Sequence, residues 1–355
     1  MVRSVAAGAW NQPVGWGTMA TYAFPDAGFW CEPMIEPDPH PLADLTAEPP
    51  PVHWGVAIDD DAVERLARRW ASTPMPLPAF DYPGTPPDRD ENWWYTWAAL
   101  AVSVLACLWP PDGEEMWRTE RDGQWLDDAP GLFAAFTRAR RQGRDLAWFA
   151  TAPAADVRQL FAGRGTLQLL DERAATLAAA AAALEDRWDG NARHLVEEAG
   201  HDVTAMAALL TDTVPGYRDR PRTELGVLPF DKLPRLAAAI MASGIGWDRF
   251  TNYADAPVYP DYMLPRLFRH HGAMVYGPGL ADLVDRHQLI PAESPPEHAI
   301  RWATVTTGAR LRAALAREGN PVSGPALDYH LWSTAVLGPD AATLGAHHRT
   351  VTMRY

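Results

Sequence analysis

The strongest constraint on the fold is a long series of segments with helical hydrophobic spacing, many of them ended by glycine or interrupted by proline. In DDDAVERLARRWA, Val63, Leu66, Ala67 and Trp70 recur at the spacing of one helical face, after an acidic start that suits a helix N-terminus. Runs that alternate polar and apolar residues are few, and GTLQLL is the best of them. The pattern therefore predicts a mainly α-helical protein.

Similar segments follow along the chain without a fixed period, which argues against a repeat solenoid and predicts a single irregular helical domain. Residues 1 to about 55 are rich in proline, glycine and tryptophan, so we expect an extended N-terminal arm there (1–55) and the helical domain over 56–355. The helical segments read TWAALAVSVLACLW, GLFAAFTRARRQG, DERAATLAAAAAALEDRWDG, ARHLVEEAGHDVTAMAALLTD with a break at Gly200, DKLPRLAAAIMASG, GLADLVDRHQLIP, PPEHAIRWATVTTGARLRAALAREG and PALDYHLWSTAVLG.

Composition and charge narrow the possible partners. The chain has 355 residues, of which 47% are hydrophobic, and a formal net charge of -14. Affinity for phosphate polymers depends on many Lys and Arg contacts, so this balance argues against a nucleic-acid partner, whereas a mononucleotide needs only one local cationic pocket. The sequence has no apolar run long enough to span a membrane and no apolar secretory stretch, so we expect a cytoplasmic location and no membrane partner.

The sequence contains none of the widely shared catalytic motifs, such as a P-loop, a dinucleotide-binding glycine pattern, a zinc-protease motif or a serine-hydrolase elbow. Adjacent histidines occur at His270–His271 and His347–His348, but neighbouring helix positions point about 100° apart and cannot both face one metal ion. The two cysteines make no metal-ligand spacing with a histidine pair. We therefore expect no metal site.

The segment YPDYMLPRLFRHHG carries an acid and a phenol, Asp261 and Tyr262, between two prolines. Pro260 and Pro265 fix their own φ angles and restrict the residues before them, so this stretch of backbone has few conformations. A carboxylate held on it loses little entropy when it is aimed at a substrate. The alternative interpretation is structural, with Asp261 as the cap of the following helix and Tyr262 as a core aromatic residue.

Two further segments place charged residues on a helix surface. In FDKLPRLAAAIM, Lys232 and Arg235 lie three residues apart near a helix N-terminus, where free N–H groups favour anions, although a solvated basic face has the same pattern. In ALDYHLW, Asp328, Leu331 and Trp332 share a face, so an acid lies beside a large flat ring. That arrangement suits a pocket for a stacked base, and it equally suits a core tryptophan with an exposed acid.

These segments, in this order, resemble the queuosine salvage protein family, helical enzymes that release queuine from queuosine 5′-phosphate by N-glycosidic hydrolysis. The resemblance runs from about Val52 to Ala335. The family's F-A-D-Y-R-V-P-Q segment, before a helix that ends near L-R-x-L-G, looks like Tyr259 to Arg266, and Arg269 and Gly272 continue the match. The resemblance implies a single helical domain with an architecture like that of helical DNA glycosylases.

Further segments follow the same family pattern, and one departs from it. The family's F-R-D and F-Y-K-R-A-Q segments look like Tyr217–Asp219 and Phe230–Arg235, and its E-I-R-A-A-T and D-W-F-L-W segments look like Ala299–Thr304 and Asp328–Trp332. Where the family reads D-A-L-N-F-C-F-W in its first core helix, this chain has apolar Val102 and Leu105 in place of both polar side chains. If those groups recognise the base, the pocket has lost hydrogen-bonding partners.

The resemblance implies roles for the candidate residues. N-glycosidic cleavage builds positive charge on the sugar, so Asp261, or Asp255 as the fallback, is expected to stabilise that charge and to accept a proton from the attacking water. Tyr262 is expected to donate a hydrogen bond, and Lys232 to bind the 5′-phosphate or orient the acid. Because water is the nucleophile, no cofactor is expected. The substrate-binding candidates are Trp332 and Trp109 around the base, Asp328, and the cations Arg235, Arg269 and His270.

Several functions stay open at this point. The first is hydrolysis of queuosine 5′-phosphate, and the second is N-glycosidic cleavage of another purine or deazapurine nucleotide, which the apolar replacements favour. A third is a non-catalytic helical protein that binds a nucleotide. A nucleic-acid glycosylase is the weakest, because the acidic balance opposes it.

Overall fold

The computed structural model of the protein describes residues 43–355, so residues 1–42 of the predicted arm, with Cys31, lie outside the described residues. The predicted mainly α-helical fold is confirmed: 13 α-helices dominate the described chain, with only short strands beside them. The helices are α1 Asp60–Trp70, α2 Glu91–Ser103, α3 Asp128–Arg141, α4 Leu146–Thr151, α5 Ala154–Leu160, α6 Leu170–Trp188, α7 Ala192–Glu198, α8 Val203–Thr213, α9 Lys232–Ile245, α10 Met263–His270, α11 Pro278–Asp285, α12 Pro295–Arg317 and α13 Gly324–Leu337.

Short antiparallel strand pairs join parts of the chain that the helices leave apart. Strand β1 near the start of the described chain pairs with β6 after α10, whereas β2 with β3 and β4 with β5 form local hairpins. The strands are β1 Val56–Ile58, β2 Arg118–Arg121, β3 Gln124–Asp127, β4 Arg222–Thr223, β5 Gly226–Val227 and β6 Met274–Tyr276.

The buried side chains form two large clusters. One is built from α2 to α9, where Trp94 and Trp97 of α2 are fully buried and stack with ring centroids 4.9 Å apart. The other is built from α1, α10 to α13 and the β1–β6 pair. Helix α9 belongs to the first cluster and α10 to the second, so the segment 246–262 carries the chain from one to the other.

Helix starts and stops follow the sequence signals closely. Side chains of Asp59, Asp90 and Asp202 accept hydrogen bonds from the first-turn N–H groups of α1, α2 and α8. The alanine-rich α6 is followed by a left-handed turn at Asp189 and Gly190. The break predicted at Gly200 separates α7 from α8 and is confirmed.

The prediction that the first core helix continues to Leu108 is wrong, because α2 ends at Ser103. Cys107 has a left-handed φ of 47°, and its N–H donates to the carbonyl of Tyr355 at 3.0 Å. The buried guanidinium of Arg173 also donates hydrogen bonds to carbonyl oxygens of this segment, those of Val104, Ala106 and Cys107. These distant partners hold residues 104–109 in a non-helical conformation.

GTLQLL, the best of the alternating runs, does not form a strand. Thr166 makes only an isolated bridge with Met116, and Leu169 adopts a left-handed φ of 59° directly before α6 begins at Leu170. The alternating pattern has no neighbouring strand to pair with among the described residues, and a strand needs such a partner for its backbone groups.

The described end of the predicted arm packs on the helical body. The indole of Trp302 in α12 donates to the carbonyl of Glu48 at 2.6 Å, and the hydroxyl of Thr306 donates to that of Leu45 at 2.7 Å. Leu45 and Trp54 are buried in the second cluster. Between residues 43 and 355, no helix combines the length and the apolar character needed to cross a membrane.

Candidate active site

A cavity of about 370 Å³ lies where the two core clusters meet. Helices α9, α10 and α13, the start of α3 and the non-helical segment 104–110 form its walls. Its volume is in the usual range for a small-molecule site, and most of its surface is apolar. Among the described residues, its aspartate and lysine side chains are four, called here the cavity charges: Asp128, Lys232, Asp261 and Asp328.

Asp261 both caps α10 and lines the cavity, so the two interpretations of this residue are compatible. Its Oδ1 accepts hydrogen bonds from the backbone N–H groups of Met263 and Leu264, both at 2.8 Å. Its Oδ2 accepts none from any described residue. Burial raises the pKa of Asp261, while the charge of Lys232 and the two N–H groups favour the ionised form. One carboxylate oxygen is therefore fixed by the helix, and the other is left for a ligand.

Asp255, the fallback for Asp261, lies away from the cavity. Its side chain is 96% exposed and pairs with Arg312 at 3.1 Å. A carboxylate in that setting is surrounded by water and has no enclosed space in which to meet a ligand.

Lys232 is the first residue of α9, and its side chain is buried against the cavity. Its ammonium makes one long hydrogen bond, 3.4 Å, to the carbonyl oxygen of Leu105. Burial lowers the pKa of Lys232, and the charges of Asp261 and Asp328 oppose that shift. The ammonium thus interacts with both acids through space while it keeps hydrogen-bonding capacity to spare.

Asp328 is positioned by a close approach at the start of α13. The N–H of Gly324 donates to the carbonyl of Ala254 at 2.7 Å, and a Cβ atom at Gly324 would lie 1.7 Å from the carbonyl oxygen of Ala256, so only glycine fits. One turn later, Asp328 Oδ1 accepts the backbone N–H of Tyr259 at 2.7 Å. Burial raises the pKa of Asp328 well above its ordinary value in spite of this bond, so burial favours the protonated carboxyl.

Two groups of aromatic rings line the cavity, and each contains one of the predicted tryptophans. Trp332 stacks with Tyr329 at 6.5 Å between ring centroids and meets Tyr82 edge-on at 5.7 Å. Trp109 meets Tyr262 edge-on at 6.2 Å. The cavity therefore offers flat apolar surface for a planar ligand.

Tyr262 contributes its ring but not its hydroxyl. The hydroxyl donates to the carbonyl oxygen of Thr350 at 2.5 Å, and burial raises the pKa of Tyr262 well above its ordinary value. The phenol therefore stays protonated with its one proton already used. This geometry does not support the predicted hydrogen bond from Tyr262 to a sugar or a water molecule.

The other predicted cations do not line the cavity. Arg269 makes a bidentate pair with Asp285, at 2.7 and 2.9 Å, on the outer side of α10. His270 is exposed at the end of the same helix. Arg235 lies one turn beyond Lys232 but donates to the carbonyl of Pro229 at 3.2 Å. Their placement gives no support for contact with a ligand in this cavity.

The apolar replacements affect the cavity at one position. Leu105 lines it, whereas Val102 is buried within α2 and is not among the lining residues. The backbone carbonyl of Leu105 still contributes, because it accepts the hydrogen bond of Lys232.

Sequence reasoning missed His347, which lines the cavity beside Trp109 with ring centroids 6.1 Å apart. Its Nδ1 lies 2.6 Å from the carbonyl oxygen of His348, which assigns the proton to Nδ1 and leaves Nε2 as an acceptor. Burial, with the charges of Arg349 and Arg266, lowers the pKa of His347 to about 4. The adjacent histidine pair was considered only for metal binding, and nothing in the sequence placed one member at a cavity.

Sequence reasoning also missed Asp128, the first residue of α3. In LDDAPG it looks like one of two ordinary acids at a helix start. In the structure it lines the cavity, and its charge interacts with those of Asp261 and Lys232. Nothing in the local sequence indicates that the fold brings it to those residues.

The cavity combines an acid with a free oxygen, a nearby ammonium, a second acid whose protonated form burial favours, and flat apolar rings. Such a set can stabilise positive charge on a bound ligand and can supply a proton to a departing group. It suits the breaking of a bond between a sugar and a flat base.

Comparison with known proteins points to the same kind of reaction. The model of the family described as queuosine salvage protein matches residues 87–355. A protein of Sphaerobacter thermophilus named queuosine 5′-phosphate N-glycosylase/hydrolase is 32% identical over 314 residues, which cover 84% of this chain and 93% of that protein. A protein of Dictyostelium discoideum with the same name is 22% identical over 175 residues, 48% of this chain and 54% of that protein.

Proposed function

This chain belongs to the queuosine salvage protein family, and we propose that it is a hydrolase that cleaves the N-glycosidic bond of queuosine 5′-phosphate and releases queuine. The observation that carries the proposal is the free Oδ2 of Asp261 in an enclosed cavity beside the ammonium of Lys232. A fixed carboxylate in such a place stabilises an oxocarbenium-like sugar without having to reorganise.

In the proposed reaction, the bond between C1′ and the base nitrogen breaks, and its electron pair leaves with the base. Asp261 stabilises the positive charge on the sugar and takes a proton from the water whose oxygen bonds to C1′. Asp328, whose protonated form burial favours, gives its proton to the departing base. Exchange with solvent then restores both acids, so neither a metal nor an organic cofactor takes part in the proposed steps.

Lys232 acts on Asp261 rather than on the phosphate in this proposal. Its charge favours the ionised form of Asp261 and opposes the effect of burial. Its burial among acids supports this role over that of an anion receptor at the cavity mouth. The flat base lies against the rings of Trp332 and Trp109, and Tyr262 contributes its ring to the same surface.

We assign the 5′-phosphate to the side of the cavity near His347. Arg349 and Arg266 lie close enough to lower the pKa of that histidine, and the Arg349 guanidinium lies 5.3 Å from the Trp109 ring centroid. Among the described residues, the ion-pair partner of Arg349 is Asp112, whose side chain is 72% exposed, so a phosphate can replace that partner in the proposal. Neither arginine lines the cavity itself, but both bring positive charge to its His347 side, whereas the cavity charges are mostly acidic.

We further propose that the enzyme is cytoplasmic and that residues 56–355 form its catalytic unit. Its partner is a mononucleotide rather than DNA or RNA. The formal charge of -14 supports that part, because nucleic-acid polymers bind through many cationic contacts.

The test is incubation with queuosine 5′-phosphate, guanosine 5′-monophosphate and 7-deazaguanosine 5′-monophosphate, with free base followed by chromatography. Release of queuine at a rate that exceeds release from guanosine 5′-monophosphate supports the proposal. Release from only another nucleotide assigns a different substrate, and binding of every nucleotide without release makes this a binding protein. Retention of labelled RNA at low salt contradicts the mononucleotide assignment.

A further inference from the structure

The backbone conformation at Asp128 does not by itself favour an aspartate. It follows the β2–β3 hairpin, begins α3 and has a left-handed φ of 49°. Residues other than glycine are strained in the left-handed region, although Asp and Asn tolerate it better than most. Glycine adopts the same conformation freely, so local geometry alone favours a residue without a carboxyl group.

Helix capping does not explain Asp128 either. The capping position of α3 is Asp127, whose side chain makes no capping hydrogen bond and pairs with Arg118 at 3.7 Å outside the cavity. The partner of the Asp128 carboxyl is the backbone N–H of Ala129. The carboxyl instead belongs to the cavity wall.

Asp128 lacks a cation of its own. Within residues 43–355, no Arg, Lys or His forms an ion pair with it. The charge of Lys232 acts on it through space, but more weakly than on Asp261 and Asp328. Burial raises the pKa of Asp128 to about 6, against the N–H of Ala129, and the charges of Asp127 and Asp261 add to the shift. At neutral pH the carboxyl is still mostly ionised, so it is an anion in the cavity wall without a directly paired cation.

An anion in this position is complementary to a cation on the ligand. Queuosine carries one on its 7-deazaguanine base, since the aminomethyl substituent at position 7 is a secondary amine that is protonated at neutral pH. A second positive charge develops on the sugar during cleavage, but Asp261 already stabilises that charge in the proposed reaction.

We propose that Asp128 is a specificity-determining residue that binds this ammonium group and so selects nucleotides with a cationic base over those with an uncharged one. The inference deepens the proposed function and rests on it. It assigns the contact to a residue outside the segments that resemble the family pattern, at a cavity where Leu105 supplies only an apolar side chain.

The experiment compares two substrates that share the sugar and the phosphate. Queuosine 5′-phosphate carries the ammonium group, and 7-deazaguanosine 5′-monophosphate does not. Asp128→Asn keeps shape and tolerance for the left-handed φ but removes the charge. We expect kcat/KM for queuosine 5′-phosphate to fall about 10- to 100-fold, as for loss of a charged hydrogen bond, with the value for 7-deazaguanosine 5′-monophosphate unchanged within about 2-fold.

Two further variants separate charge from folding. Asp128→Gly relieves the strained φ, so it is expected to melt at the same temperature as the parent or higher, yet to lose the same preference. Asp127→Asn removes the neighbouring acid outside the cavity and is expected to leave both substrates unaffected. Equal losses on the two substrates with Asp128→Asn, or no loss on either, overturns the proposal.

A binding measurement keeps this inference distinct from the proposed reaction. Calorimetric titration of the parent protein with free queuine and with 7-deazaguanine is expected to show tighter binding of queuine, and Asp128→Asn to remove about 10-fold or more of that difference. If the parent binds the two bases equally, the assignment of Asp128 is wrong. If the parent releases no base from either nucleotide yet shows this preference, the reaction is wrong and the binding role of Asp128 remains.

Discussion

Two groups of buried charges in this protein differ in how directly their members are paired. Arg301 in α12 donates to both oxygens of Asp219 and to Oε1 of Glu297 at 3.3 Å, and its guanidinium carbon lies 3.9 Å from the Phe230 ring centroid. Among the described residues, the cavity charges have no such contact, since the ammonium of Lys232 bonds only to a backbone carbonyl at 3.4 Å. We call the group of Arg301, Asp219 and Glu297 the paired network.

The difference separates charges that hold the fold from charges that await a ligand. In the paired network, burial lowers the pKa of Arg301, but Asp219 and Glu297 more than reverse this, so the guanidinium stays charged. Around the cavity, burial prevails over the partners, because the pKa of Lys232 is lowered and that of Asp261 is raised. Charges held at such a cost next to an open volume mark a site, whereas directly paired buried charges mark stability.

The largest expected effect comes from breaking the paired network. Arg301→Met leaves Asp219 and Glu297 buried without their cation, and we expect a loss of about 3–5 kcal/mol in the free energy of unfolding, measured by chemical denaturation. The matched control is Arg269→Met, which breaks the more exposed pair with Asp285 and is expected to cost less than about 1 kcal/mol. Similar losses in both variants contradict the distinction between the two groups.

Removing the Lys232 ammonium is expected to lower the rate of the reaction while leaving the stability of the fold almost unchanged. In Lys232→Met, the free energy of unfolding should change by less than about 1 kcal/mol, because burial already disfavours the charged form, while kcat/KM falls by about 100-fold. The pH profile gives the mechanism. Lys232 lowers the pKa of Asp261, so its loss raises that pKa, and the acid limb of log kcat/KM against pH should move to higher pH. An acid limb that stays in place or moves to lower pH rules out this role.

A smaller effect is expected at the proposed phosphate side of the cavity. Arg349→Ala should raise KM for queuosine 5′-phosphate by about 10-fold and leave KM for the nucleoside unchanged, because one charged contact to the phosphate is lost. Arg269→Ala serves as the control, since Arg269 pairs with Asp285 and lies over Tyr276, which does not line the cavity, whereas Arg349 lies over the lining Trp109. Equal changes for nucleotide and nucleoside would remove the phosphate assignment.

The helices were predictable because their signals are local. The spacing of Val63, Leu66 and Trp70 and the alanine-rich run closed at Gly190 each predict a helix that the structure confirms. The end of α2 was not predictable, since the turn at Cys107 depends on a backbone partner at Tyr355 and a guanidinium at Arg173. Local propensity carries no information on such contacts.

The candidate site was predictable in part for the same reason. Rigid backbone around Asp261 and the shared helix face of Asp328 and Trp332 are local features, and these residues do line one cavity. The direction in which Arg269 points was not predictable, because its partner Asp285 is sixteen residues away on another helix. The arrival of Asp128 at the same cavity depends on the packing of α3 against distant elements.

The most direct test of the central claim is the single-turnover rate of base release from queuosine 5′-phosphate by Asp261→Asn beside the parent protein. The asparagine oxygen can still accept the N–H groups of Met263 and Leu264, so the melting temperature should stay unchanged. With the negative charge gone, we predict release slower by about 100- to 1000-fold. Release at the parental rate by a correctly folded Asp261→Asn protein contradicts the account.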